Sequence, residues 1–323
     1  MTIAEKPALV LKSIWKYYGG SAVLADISAE IGTGEIFILL GSNGSGKSTL
    51  LKIMAGLFPP DRGTMQIFGR VNGDDGPLSR KGRGVLFDHS PHWDALSGYE
   101  NAWFFARSYG LSSDEAKDRL EDLFRWSGLW DKRDEPVSTY SYGMRRKLSL
   151  IQALAHRPRL LLLDEPSMGL DYSSRLAMYD LLKDECSRGT SIVIASNDID
   201  EATSLATRVA LMRQGRMIAA GKPSELMRSV DALTRIEVKL AAPIPLELIR
   251  GIWGVEGVEA DLGGDGVSLR LLVSGDRSMG SVASDIISQV SEAGGSLLGM
   301  EVKEPNLGDL FLKLSEGDGS DDA

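Results

Sequence analysis

Nine residues, Gly41-Ser42-Asn43-Gly44-Ser45-Gly46-Lys47-Ser48-Thr49, constrain this chain more than any other stretch. They follow an uninterrupted apolar run, Ile36–Leu40, and lead into an amphipathic stretch, Lys47–Gly56. Strand, glycine loop and helix in that order open a βαβ unit, which predicts an α/β fold. The nine residues satisfy G-x-x-x-x-G-K-[ST] in the context that motif requires. Small residues let the backbone curl until successive N–H groups and the helix N-terminus face an anion. Lys47 adds a compact positive charge near the β and γ phosphates of a nucleotide. Ser48 supplies a hydroxyl suited to Mg2+.

A second apolar run, Leu160–Leu163, ends in Asp164-Glu165. A strand that finishes in Asp delivers a carboxylate beside the phosphate loop, fit to hold Mg2+. Glu165 is placed to polarise an attacking water as general base. Val85–Phe87, Ser191–Ala195 and Val209–Met212 are further candidates for buried strands of a parallel sheet, and Leu9–Ile14 and Val23–Ile31 for opening strands.

The pattern turns helical between about residues 90 and 143, with Trp93, Trp103, Phe104, Phe105, Trp126 and Trp130 interleaved. This predicts an all-helical insertion inside a domain spanning residues 1–230. Its rings read mainly as helical core. Residues 231–314 alternate strands (Arg235–Leu240, Val255–Asp261, Val267–Val273, Ser296–Val302) with helices (Leu246–Trp253, Gly280–Ala293), a small α+β accessory domain. Residues 315–323 are Gly, Ser, acids and a final Ala, and read as a disordered tail.

Composition narrows the classes. A net charge of -9 over 323 residues argues against a nucleic-acid-binding surface. One cysteine, Cys186, excludes a disulfide framework and a zinc cluster. No segment has the roughly 18 consecutive apolar residues of a membrane-spanning helix. The first residues lack a signal-peptide core, so a cytoplasmic location is expected.

The stretch Thr139-Tyr140-Ser141-Tyr142-Gly143-Met144-Arg145-Arg146-Lys147-Leu148 resembles the signature motif of ABC transporter ATP-binding subunits, in the Y-S-x-G-M-R-x-x-L form of exporter ATPases. Ser141 and Gly143 keep the contacting positions, while Tyr142 replaces the first glycine of the commoner L-S-G-G-Q. The resemblance covers about residues 8–228. It implies a P-loop ATPase domain with a mixed sheet core and a helical subdomain, and ATP and Mg2+ as ligands. It implies a head-to-tail dimer of like or unlike subunits, in which Ser141 and Gly143 reach the nucleotide of the opposite subunit. Tyr18 matches the ring that stacks on adenine, with Tyr17 as its neighbour and competitor. Asp171, in Ser167-Met168-Gly169-Leu170-Asp171, matches the loop at the dimer seam. Glu304–Leu314 resembles the ending of drug, antibiotic and lipid exporter ATPases, whose partner is a separate six-helix membrane permease; Gly308 stands where the usual residue is Glu. The helical insertion is where such a permease docks, with Trp93 as one candidate contact.

Two positions depart from the family. Asp88 occupies the place of a Gln that touches Mg2+ and water, with His89 the alternative if the register slips by one. Asp88 still offers a hard-cation ligand, though its charge beside the γ phosphate is unfavourable without the metal. Asn197 stands at the place of a switch histidine and cannot take up a proton. The three histidines are His89, His92 and His156, none of them near position 197. Both departures predict slowed hydrolysis, whereas retention of Glu165 predicts real turnover.

The expected function is that of an ATP-hydrolysing motor at the inner face of the cell membrane, energising export through its permease. The alternatives are a soluble non-transport ABC ATPase and a nucleotide-gated regulatory subunit with little hydrolysis.

Overall fold

The computed structural model describes residues 6–71, 82–87, 91–228, 234–263, 266–273 and 279–303. Backbone contacts divide the chain into two compact units, Met1–Pro223 and Ser224–Ala323.

The first unit is built on a six-stranded sheet. Its strands are β3 (Ile36–Leu40), β6 (Arg83–Leu86), β7 (Leu160–Asp164), β8 (Ser191–Ser196), β9 (Arg208–Arg213) and β10 (Arg216–Gly221), in the order β10-β9-β3-β8-β7-β6. All neighbours run parallel except the β9–β10 hairpin. β3, β7 and β8 are buried at every position, as expected of apolar runs covered on both faces.

A second, antiparallel sheet holds β1 (Leu9–Tyr18), β2 (Ser21–Ile31), β4 (Arg62–Ile67) and β5 (Arg70–Val71), ordered β2-β1-β4-β5. The helix α1 (Lys47–Ala55) buries Leu50, Leu51, Ile53 and Met54. They share one core with Leu9, Leu11 and Ile14 of β1 and Phe37 and Leu39 of β3.

Within the expected insertion lie α2 (Gly98–Ser108) and α3 (Ser113–Ser127), each started by a capping box, Ser97 with Glu100 and Ser112 with Glu115. Two 3-10 turns, Trp130–Lys132 and Val137–Thr139, lead to α4 (Tyr142–Leu154). The helices α5 (Tyr172–Ser187) and α6 (Ile199–Leu205) follow β7 and β8, with N-caps Asp171 and Asp198. A short helix, α7 (Pro223–Arg228), starts at the last residue of the first unit, and its residues from Ser224 on are counted with the second.

The second unit folds as strand–helix–strand–strand–helix–strand: β11 (Thr234–Leu240), α8 (Leu246–Arg250), β12 (Val255–Gly263), β13 (Gly266–Val273), α9 (Met279–Glu292) and β14 (Leu297–Lys303). The antiparallel order β12-β13-β11-β14 is that of a split βαβ sandwich. Ile236, Val238 and Leu240 alternate inward on β11 and join Ile249, Val282, Ile286 and Val290 in a separate core. The helix expected over Leu246–Trp253 stops at Arg250, with Gly251 as its C-cap. The segments 304–314 and 315–323 lie outside the described residues.

Candidate nucleotide site

Strand register assembles the site. Leu40 pairs with Ser196, and Asp164 pairs with Ala195. The carboxyl ends of β3, β7 and β8 therefore lie level, where open α/β sheets bind ligands. The phosphate loop, the Asp164-Glu165 turn and Asn197 emerge together and line one cleft of about 620 Å³.

In the loop, Gly44 (φ 81°) and Gly46 (φ 100°) are left-handed. Alternation with ordinary residues turns successive N–H groups into a concavity for an anion. A Cβ on Gly46 would lie 2.8 Å from Leu24 Cδ2 and 2.9 Å from the Val23 carbonyl, whereas one on Gly44 meets open space. The floor is thus tight and the mouth free. Lys47, 5% exposed, donates from Nζ to the carbonyls of Gly41 (2.8 Å) and Ser42 (3.1 Å). Its third N–H is left for a further acceptor. Burial lowers the Lys47 pKa, opposed by Glu165 and Asp164.

Ser48 Oγ donates to Asp164 Oδ1 at 3.1 Å. Burial raises the Asp164 pKa, opposed by that bond and by Lys52, Lys47 and Arg146. A hydroxyl beside a carboxylate at the phosphate concavity fits a hard divalent cation that keeps waters and phosphate oxygens as its other ligands. Among the described residues no cluster of three or more His, Cys, Asp or Glu forms an all-protein cage.

Glu165 adopts φ 45°, an uncommon left-handed backbone for a non-glycine residue. Its Oε1 lies 3.9 Å from Lys47 Nζ. Its Oε2 accepts from the Asn197 N–H at 3.4 Å. Burial raises its pKa, opposed first by Lys47, and a more basic carboxylate suits proton abstraction. The Asn197 side chain donates from Nδ2 to Asn43 Oδ1 at 3.4 Å. Asn197 therefore bridges the general-base candidate and the phosphate loop.

The remaining sequence candidates lie apart from this set. Ser141 caps α4, its Oγ accepting from the Met144 N–H at 3.3 Å. Neither Ser141 nor Gly143 lines the cleft of its own chain. The Tyr142 ring packs on Gly169, which does line it. Asp171 accepts from the Ser174 N–H at 2.8 Å and from the hydroxyls of Ser173 and Ser174, which hold its pKa far below the usual carboxylate range. Tyr18 ends β1 with half its surface exposed, edge-on to Phe58 and outside the cleft lining. Tyr17 stacks on Trp15. Asp88 and His89 lie outside the described residues.

Three residues were not singled out from the sequence. Arg146, buried in α4, donates to the main-chain oxygens of Phe87 (3.0 Å), Asp164 and Glu165 (2.6 Å). Its place in the signature stretch was its only signal. Arg175 pairs with Asp198 at 2.9 Å on the cleft wall. Glu201, fully buried on α6, carries no sequence signal.

Fold and site together define a P-loop nucleotide hydrolase of the cassette type. The family model described as ABC transporter matches residues 24–168. The linearmycin resistance ATP-binding protein LnrL of Bacillus subtilis is 30% identical over 95% of this chain and 98% of its own length. The Nod factor export ATP-binding protein I of Sinorhizobium fredii is 31% identical over 95% of this chain and 86% of its own. A solved ATP-binding subunit of an ABC transporter superposes with a TM-score of 0.65 at 28% identity, covering 69% of this chain and 92% of that one. A dimeric bacterial cassette superposes at 0.62 with 24% identity, a likeness of fold. The chain belongs to the ATP-binding subunits of ABC transporters, and its relatives are of the exporter type. It is an ATP-hydrolysing enzyme.

Proposed function

We propose that this subunit couples Mg-ATP hydrolysis to export through a separate membrane permease, working as a head-to-tail dimer. One observation carries the reading: the phosphate loop, the Ser48–Asp164 pair, Glu165 and Asn197 converge at the level ends of three strands. The loop residues Gly41, Ser42, Asn43, Gly44, Ser45, Gly46, Lys47, Ser48 and Thr49 bind the phosphates, and Tyr18 stacks on the adenine. Ser48 and Asp164, with Asp88, would hold Mg2+, whose charge offsets that of the phosphates. Glu165 takes a proton from the attacking water, while the Asn197 N–H and Lys47 keep its carboxylate in place. The helix N-terminus at Ser141 and Gly143 suits the γ phosphate of the partner subunit's nucleotide, and Asp171 sits at the seam.

Among the described residues no helix is long and apolar enough to cross a membrane. In this proposal the subunit sits at the inner face of the cell membrane, held by its permease. The exposed pair Trp93 and Phe104, edge-to-face at 4.7 Å, is the permease-facing patch. Asn101 bonds both the N–H and the carbonyl of Trp93 and so presents that ring. A second reading, a nucleotide-gated subunit with little turnover, is favoured by Asn197 itself, which offers hydrogen bonds without a titratable proton.

Glu165→Gln tests the proposal. It should retain ATP affinity, lose more than about 10²-fold in turnover and accumulate an ATP-dependent dimer in size-exclusion chromatography. Turnover well above background in the wild type and unchanged in the variant would refute the assignment of Glu165. A wild type at background that still forms the ATP-dependent dimer would favour the second reading.

A further inference from the structure

Behind the cleft lies a buried polar cluster that the proposed chemistry does not use. Glu201 is fully buried, and among the described residues neither carboxyl oxygen has a hydrogen-bond partner. The Tyr179 hydroxyl and Arg175 Nε are buried beside it in the same condition. The hydroxyls of Ser196 and Ser167 approach the Glu201 carboxyl closely enough to lower its pKa, yet neither closes a hydrogen bond.

Those two serines are set at telling places. Ser196 immediately precedes Asn197, and its Oγ accepts from the Asp198 N–H at 3.0 Å. Ser167 lies in the turn that opens at Glu165, where the Met168 N–H bonds the Glu165 carbonyl at 3.1 Å. We propose that Glu201 is a positioning residue for ATP hydrolysis, its carboxyl spanning Ser196 and Ser167 and so holding Asn197 and Glu165 in register. The inference rests on the site reading above, in which Glu165 and Asn197 serve the reaction.

The charged groups around Glu201 fix the form in which it works. From its own turn comes Asp198, whose Oδ1 accepts from the Glu201 N–H at 3.1 Å. From the β7 turn comes Glu165; both carboxylates disfavour a third negative charge. From α5 come Tyr179, whose own pKa is raised by burial and by Glu201, and Arg175. The Arg175 guanidinium is bonded to Asp198. Burial is the largest influence and pushes the Glu201 pKa up to about 7. A neutral acid has one donor and one acceptor, enough to serve two hydroxyls. An ionised one would be an uncompensated buried charge.

The test is steady-state ATPase of the full chain from pH 6 to 9, with nucleotide affinity measured separately by a fluorescent ATP analogue. Glu201→Gln, which mimics the neutral acid, should match the wild-type kcat on the acid side and lack the fall in kcat expected of the wild type through neutral pH. Glu201→Ala should lower kcat about tenfold or more through misplacement, with KM and affinity within about twofold. Identical pH profiles for wild type and Glu201→Gln would overturn the proposal, as would equal losses in both variants with affinity falling in step. If Glu201→Ala does not fold, the isosteric Gln variant still decides. Glu165→Gln runs alongside: unchanged turnover there refutes the underlying site reading rather than the role of Glu201.

Discussion

Arg146 donates to the main-chain oxygen of Glu165 at 2.6 Å, and the same guanidinium reaches the carbonyls of Asp164 and Phe87. One side chain of the signature helix therefore ties together the ends of β6 and β7, where the metal-holding and base candidates sit. The left-handed backbone of Glu165 needs such a clamp, because a strained turn persists only when its surroundings over-determine it.

Arg146→Lys should accordingly fail to rescue. An ammonium is a point charge without the planar fork that serves several carbonyls at once. The Glu165 carbonyl would keep the Met168 N–H, but each buried carbonyl that loses its donor without a replacement costs about 1–3 kcal/mol. Both Arg146→Lys and Arg146→Ala should lower the thermal midpoint and reduce ATPase turnover together. A lysine variant with wild-type midpoint and turnover would show that the fork is dispensable.

The legibility of the molecule follows the same physics. β3, β7 and β8 could be read because two-sided burial writes uninterrupted apolar runs. β4 was missed: its first three residues are exposed, so RGTMQI carries neither a run nor a clean alternation. β10, mostly half-buried, hides for a similar reason. The loop, Asp164 and Glu165 were legible because each is forced by local geometry at a strand end. Glu201 was not, since an acid on a short helix ordinarily reads as solvated surface, and only tertiary packing buries it. Tyr142 on Gly169 is likewise a contact that no local pattern encodes.

Asn197→His should raise turnover. Asn197 already stands between Glu165 and Asn43, so a side chain at this position faces both the base candidate and the phosphate loop. What the amide lacks is a charge-assisted hydrogen bond that strengthens as negative charge develops. The expected gain in kcat is about tenfold or more, at nearly unchanged KM. A steady-state assay decides, and no gain would show that Asn197 does not limit the reaction.

Stability should fall with rising pH through Glu201. Its folded pKa, about 7, lies above the ordinary glutamate value of 4.5 because burial disfavours the ion. Between those values the native state binds more protons than the unfolded chain, so the free energy of unfolding decreases as pH rises. The decrease ends above about pH 7 and is bounded by on the order of 3 kcal/mol. Glu201→Gln should thus melt higher than the wild type at pH 8, with the gap closing towards pH 5. Parallel melting curves across that range would contradict a buried neutral carboxyl.

The Tyr142 ring and Gly169 make a separable pair. A Cβ on Gly169 would fall 2.3 Å from Tyr142 Cε1, and the residue has φ 77°. Gly169→Ala therefore combines two penalties, a ring clash and about 1–2 kcal/mol of left-handed strain. Tyr142→Ala alone, at a half-exposed ring, should cost little. The double variant should recover the clash and leave the strain, a coupling that a double-mutant cycle on thermal midpoints reads directly. Additive effects would mean that the ring moves aside freely. In that case the aromatic that replaces the family's glycine in the signature would exert no hold on the cleft wall.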